Sequence, residues 1–219
     1  MTAPLDMTLD ELRTALAPLL PGNAAFDGWT PLALEASAAQ LGVPADRARL
    51  AFPDGAAGMI DAWFAHVDAL TAAALPPERL AGRRVRERVR MAVWTRIEAV
   101  APHREALRRA LAVLALPANV AHGARLGWRA ADGMWRALGD RSVDFAWYSK
   151  RFTLTAVYAS TILALLDDDD PDLSATRAFL DRRIEGVMRF ETLKARLKPD
   201  PDRHFSPLRF LGRLRYPPA

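Results

Sequence analysis

Apolar positions along the chain recur at spacings of three and four, and almost nowhere in strict alternation. Ala, Leu, Arg and Glu dominate these stretches, and β-branched runs bounded by turn dipeptides are missing, so the pattern predicts helices throughout. Pro and Gly punctuate it, at Pro18 to Asn23, Gly42 to Pro44, Phe52 to Gly55, Pro76-Pro77, Pro102, Pro117, Gly139-Asp140, Asp168 to Pro171 and Pro199 to Asp202. Between these breaks about nine helices are predicted, roughly 8–18, 31–41, 45–51, 56–74, 78–100, 103–115, 118–138, 143–167 and 173–197, with a short further one at 207–215. Thr8 with Glu11 fits a capping box, and Thr30 before Pro31 fits an N-cap followed by proline at the first helical position.

The first half has a specific layout. An alanine-rich helix ends at Gly42-Val43, a short helix from Asp46 to Ala51 follows, and Phe52-Pro-Asp-Gly55 leads into a long amphipathic helix. This order resembles the N-terminal three-helix unit of TetR-type transcription factors. The resemblance implies an all-α, TetR-like fold and opens a ligand-responsive DNA-binding regulator as the alternative function. Against DNA binding, the helix that would enter the major groove starts with Pro44-Ala45-Asp46, and the turn after it carries Phe52-Pro53-Asp54 where a phosphate contact needs a cation. Arg47 and Arg49 remain as possible backbone contacts.

Two further stretches are too specific for generic helix: Phe26-Asp-Gly-Trp-Thr30, and the run from Met134-Trp135 through Gly139-Asp140 and Asp144-Phe-Ala-Trp-Tyr-Ser-Lys-Arg151 to Val157-Tyr-Ala-Ser-Thr161. Together they resemble the accessory-protein family of ubiquinone (coenzyme Q) biosynthesis, whose members are TetR-like, bind lipid and assist a di-iron hydroxylase. The likeness runs from about residue 12 to 216. It implies a non-catalytic protein with no cofactor, which takes an isoprenoid quinone precursor or a phospholipid from the membrane and presents it to the di-iron hydroxylase, without binding nucleic acid. It also implies homodimerisation through the last two long helices.

Asp144, Trp147, Tyr148 and Arg151 fall at helical spacings on one face, a combination typical of interface hot spots. By resemblance they form the hydroxylase docking patch, with Met134 as an apolar residue one helix earlier; an internal aromatic cluster capped by Asp144 is the alternative. Beyond Arg151 the same helix is apolar on nearly all sides, which requires protein or ligand around it. The candidate lipid-binding residues are Trp128, Trp135, Phe152, Val157, Tyr158, Thr161, Ile162, Leu165, Phe179, Ile184 and Met188. Tyr158, Ser160 and Thr161 are the candidates to orient a polar head. The pocket itself is implied by the family, not by periodicity.

Residues 203–216 carry a short amphipathic pattern. Leu208, Phe210, Leu211 and Leu214 occupy one arc of roughly 160°, with Arg209 and Arg213 opposite. With Phe205 these form a candidate membrane-binding helix, as the family resemblance also implies. The expected division is therefore a helix-turn-helix-like unit (1–76), a helical lipid-binding and dimerisation half (77–198), and a linker with an amphipathic tail (199–219).

Composition narrows the classes. The chain has 219 residues, 51% of them apolar, no cysteine and a net charge of +4. Disulfide frameworks, thiolate metal sites and cysteine nucleophiles are excluded, and so is global disorder. The four histidines never pair at metal-ligand spacing, and no nucleophile elbow, phosphate loop or dinucleotide fingerprint occurs. The acidic run Asp167 to Asp170 matches no calcium loop and reads as a solvated turn. Charge is unevenly placed, with ten arginines against four glutamates over residues 78–109. No membrane span and no leader are visible, so the expected location is a bacterial cytoplasm, peripherally on the inner face of the inner membrane.

Overall fold

The computed structural model describes residues 6–142 and 145–197. Among these every regular element is a helix and no strand occurs. The helices are α1 (Leu9–Leu16), α2 (Leu20–Asp27), α3 (Pro31–Leu41), α4 (Ala45–Ala51), α5 (Gly55–Ala74), α6 (Pro77–Leu80), α7 (Val85–Val100), α8 (Arg104–Leu114), α9 (Val120–Ala137), α10 (Phe145–Leu166) and α11 (Ser174–Leu197), with a 3-10 turn at Ala101–His103. The predicted capping box opens α1: Glu11 N–H donates to Thr8 Oγ1 at 3.3 Å while Thr8 N–H donates to the Glu11 carboxylate at 2.8 Å.

The helix-turn-helix layout is present in α3, α4 and α5. Gly42 closes α3 in a left-handed conformation, with Val43 N–H reaching back to the Ala38 carbonyl at 2.9 Å. Thr30 stands at the N-cap position of α3, but its hydroxyl donates to the Asp27 carbonyl instead of capping. Two elements depart from the periodicity. Helix α2 runs through Pro21-Gly22-Asn23, which reads as a break in the sequence, yet a proline in the first helical turn costs nothing, since its missing N–H would be unpaired anyway. The predicted 78–100 helix is interrupted between α6 and α7, where Gly82 adopts positive φ.

The first and second halves share one apolar core, in which Trp63, Met59 and Ile60 of α5 meet Val93 and Ile97 of α7 and Ala130 and Ala131 of α9. A chain of ion pairs crosses the same seam. Asp61 and Asp68 on α5 bind Arg129 on α9, Asp68 binds Arg96 on α7, and Arg13 on α1 binds Asp61. Arg96 is 2% exposed and lies over the Tyr158 ring of α10. Trp29 of the Phe-Asp-Gly-Trp-Thr motif is buried, stacks on Trp63 at 5.5 Å and donates its indole N–H to the Ala106 carbonyl at 2.9 Å. That half of the motif holds α2 to α8, whereas Phe26 is 84% exposed.

Candidate functional site

The second half is built from α7, α9, α10 and α11, and α9 sets its geometry. Gly139 ends α9 with φ +76°, Gly139 N–H donates to the Arg136 carbonyl and Asp140 N–H to that of Trp135, both at 3.0 Å. This pair of bonds is a Schellman cap, which needs a residue without a Cβ penalty at the left-handed position. Its consequence is to aim Asp140 back at α10. Asp140 accepts from Lys150 Nζ at 2.7 Å, from Ser142 Oγ at 2.6 Å and from Arg151 Nη1 at 3.2 Å. Burial works against the charged carboxylate, but the hydrogen bonds from Lys150, Ser142 and Arg151 and the Lys150 charge win, and the pKa falls to about 2.

Arg151 is 2% exposed. Its Nε donates to Asp132 at 2.6 Å, its Nη1 also reaches the Trp147 carbonyl, and its guanidinium stacks over the Trp147 ring at 4.0 Å. Trp147 in turn meets Tyr148 edge-on at 4.7 Å and Trp128 of α9 at 5.6 Å. The close approach of α9 to α10 at this point passes over Gly127, where a Cβ would come within 3.2 Å of the Thr155 methyl. Tyr148 is 60% exposed and Trp147 half-buried, so the cluster has a solvent-facing side. Met134 and Arg151 lie inside, so they can support this surface from behind but not touch a partner. Asp144 lies outside the described residues, as do the tail residues Phe205, Leu208, Arg209, Phe210, Leu211, Arg213 and Leu214.

On the other side of α10 a cavity of about 480 Å³ opens between α7, α10 and α11. Its walls are Val85 and Val89 of α7, Trp135 of α9, Leu154 and Val157 of α10, and Ile184, Val187 and Met188 of α11, with Arg86, Ser149, Lys150, Thr153 and Glu191 also lining it. Lys150 links the two features: its ammonium binds Asp140, sits 5.3 Å over the Trp135 ring, and its carbonyl accepts the Trp135 indole N–H at 3.0 Å.

The structure thus brings Trp135, Val157, Ile184 and Met188 to one cavity and sends the other candidate lipid residues elsewhere. Trp128 joins the aromatic cluster. Phe152 is 72% exposed on the outer face of α10. Tyr158, Thr161, Ile162 and Leu165 are buried in the core rather than lining the cavity, and Phe179 is half-buried beneath Arg182 and Arg183. None of the three polar candidates for a head-group lines the cavity: Ser160, half-buried, and Thr161, buried, donate to the Val157 carbonyl of their own helix, and the buried Tyr158 ring faces Arg96.

Sequence reasoning missed the α7 wall. Val85, Val89, Val93 and Ile97 form an i, i+4 stripe, buried at its far end and lining the cavity at its near end, but arginines at alternate positions obscure it. The acidic run after α10 is also less solvated than its composition suggests. Asp168 is buried, and its carboxylate accepts the backbone N–H and hydroxyl of Thr176 at 2.7 and 2.6 Å, with its pKa lowered chiefly by the Thr176 hydroxyl. Among the described residues no group of three His, Asp or Glu side chains is placed to hold a metal ion.

Known proteins resemble this chain in sequence and fold. A family profile described as COQ9 matches residues 120–191, the segment that carries the aromatic cluster, the Asp140 hub and every cavity wall except α7. The rat protein named "Ubiquinone biosynthesis protein COQ9, mitochondrial" is 32% identical over 167 residues, covering 74% of this chain and 54% of the relative. The human protein of the same name is 32% identical over 167 residues, covering 74% of this chain and 52% of the relative. The chain spans about half the length of these curated relatives. Among solved structures, a TetR transcriptional regulator from Nitrosomonas europaea ATCC 19718 superposes with a TM-score of 0.66 at 23% identity, covering 82% of this chain and 99% of that one. Identity that low establishes a shared fold and nothing about DNA binding. The relatives' names also correct one expectation: they are mitochondrial proteins, which overturns the placement in a bacterial cytoplasm. Among the described residues no helix is long and apolar enough to cross a membrane.

Proposed function

Because this chain belongs to the COQ9 family through residues 120–191, we propose that it serves ubiquinone biosynthesis as a lipid-binding accessory protein. In this reading it holds a polyprenylated quinone precursor, or a phospholipid, and presents it to a di-iron hydroxylase without performing chemistry of its own. The observation that carries the proposal is the cavity of about 480 Å³ with its apolar walls. An apolar cavity of ~150 Å³ holds one benzene ring, so this one has room for about twenty carbon atoms, a fatty acyl chain or about four isoprene units. Each methylene moved there from water contributes ~0.8 kcal/mol. A longer polyprenyl chain would leave through the mouth.

The exposed side of the Trp128, Trp147 and Tyr148 cluster supports the docking half of the proposal. Aromatic side chains held rigid by a buried arginine offer a partner large contact area at small entropic cost. Presentation from cavity to partner has a short path, since Lys150 lines the cavity and shares Asp140 with Arg151, which packs on Trp147. Homodimerisation is part of the same reading: the outer face of α10 exposes Phe152, Ala156, Ala159 and Leu163, an apolar stripe at helical spacing. The amphipathic pattern at 203–216 supplies a membrane handle.

A DNA-binding role draws less support. Arg49 is paired with Glu35 and Asp46 at 2.5 and 2.7 Å, and Arg47 donates to the Met7 carbonyl, so both cations of α4 are engaged within the chain. The testing experiment is reconstitution: a di-iron hydroxylase acting on precursor embedded in vesicles is assayed with and without this chain. The proposal predicts several-fold faster turnover with it, and no hydroxylation by the chain alone. Equal turnover in both would refute it.

A further inference from the structure

The turn between α6 and α7 gathers cations that nothing in the proposed function uses. Arg79, Arg83, Arg84 and Arg86 are exposed, and none forms an ion pair among the described residues. Their acidic neighbours in sequence are Glu78 and Glu87, and Glu191 of α11 lines the same cavity as Arg86. Two are anchored by their stems' own turn: Arg79 Nη1 donates to the Ala74 carbonyl at 2.7 Å and Arg83 Nε to the Arg79 carbonyl at 3.0 Å. A guanidinium has five N–H groups, so each keeps most of its donors for solvent or a ligand.

The cluster reaches the cavity through Arg86, while Arg79, Arg83 and Arg84 precede it on the exposed turn. Arg86 and Val85 line the cavity, and Val85 is 59% exposed. On the facing side α11 contributes Met188 and Glu191 to the lining, and its neighbouring Phe190 and Leu193 are 63% and 55% exposed. Exposed apolar side chains set among arginines are matched by the boundary between anionic headgroups and acyl chains, where both kinds of residue are satisfied at once. A nucleic-acid backbone would satisfy the arginines and leave Val85, Phe190 and Leu193 in water.

We propose that the arginine turn between α6 and α7 is a contact surface for an acidic phospholipid bilayer, seating the cavity mouth against the membrane so that lipid passes between bilayer and cavity without crossing water. This rests on the cavity being a lipid site, and it adds a membrane contact on the folded body that is independent of the tail.

Flotation of the full chain with vesicles of phosphatidylcholine, with and without phosphatidylglycerol, tests it. At about fivefold per arginine near an anionic surface, the triple substitution Arg83→Gln, Arg84→Gln, Arg86→Gln weakens binding to the acidic vesicles by about a hundredfold. A thermal melt matching the parent chain shows that the variant is folded; if it is not, Arg86→Gln alone is read for about a fivefold loss. Unchanged binding to acidic vesicles would overturn the inference. So would preferential binding of duplex DNA that the same substitutions abolish. Quenching of tryptophan fluorescence by a doxyl-labelled fatty acid in solution reports the cavity separately. Quenching with arginine-independent vesicle binding sinks the membrane contact and spares the lipid site; arginine-dependent vesicle binding without quenching does the reverse.

Discussion

Replacing Asp140 with Asn removes one charge from the point where α9, α10 and the aromatic cluster meet. Asp140 carries about 5% of its side-chain surface exposed, and its pKa falls from 3.8 to about 2 because Lys150, Ser142 and Arg151 all donate to the ionised form. At 1.36 kcal/mol per unit the shift corresponds to roughly 2 kcal/mol. Solvent screening lowers this, since Lys150 is 40% exposed, and leaves about 1–2 kcal/mol. For a chain of this size that is about 3–6 °C in Tm. The pH dependence has a definite sign. A carboxyl whose folded pKa is depressed stabilises the protein above its unfolded pKa, and loses that contribution as pH falls through the folded value. Urea midpoints of the parent chain and Asp140→Asn should therefore differ fully at neutral pH and converge as pH drops below 3.8 toward about 2. The variant should also lose near-UV circular dichroism from Trp147, whose ring is packed by Arg151. Equal melting temperatures at neutral pH, or a gap that widens on acidification, would refute the assignment of Asp140 as the hub.

Tyr148→Ala should leave stability within about 0.5 kcal/mol, because the side chain is 60% exposed, yet weaken hydroxylase binding by about thirtyfold in a calorimetric titration. Arg96→Met should lower the denaturation free energy by about 3 kcal/mol by leaving Asp68 with Arg129 alone, read from the urea midpoint at constant m-value.

The fold was legible where local chemistry and tertiary demand agreed. The Thr8 capping box, the Gly42 cap and the long helices α5, α9, α10 and α11 all follow from periodicity and punctuation. It was illegible where a residue's local meaning is ambiguous: Pro21 reads as a breaker and serves as a first-turn residue, and Gly82 interrupts a run that is helical on both sides. At the candidate site, the spacing of Trp147, Tyr148 and Arg151 correctly put them near one another. It could not say that Arg151 turns inward, because that depends on Asp132 and Asp140, which arrive from another helix. The cavity was harder still. A helix apolar on all sides does not reveal which side faces a void, so Tyr158, Thr161 and Leu165 read the same as Leu154 and Val157. The α7 wall is visible only once α11 lies against it and Arg90 pairs with Asp181 at 2.6 Å.

The central claim is that the cavity between α7, α10 and α11 holds lipid. Native mass spectrometry of the gently purified chain beside Val187→Trp, which fills the cavity from α11, tests it most directly. The parent chain should carry an isoprenoid or acyl lipid adduct, and the variant should show the same oligomeric state as the parent and carry none. A parent chain free of lipid, or a variant that retains the same adduct, would contradict the account.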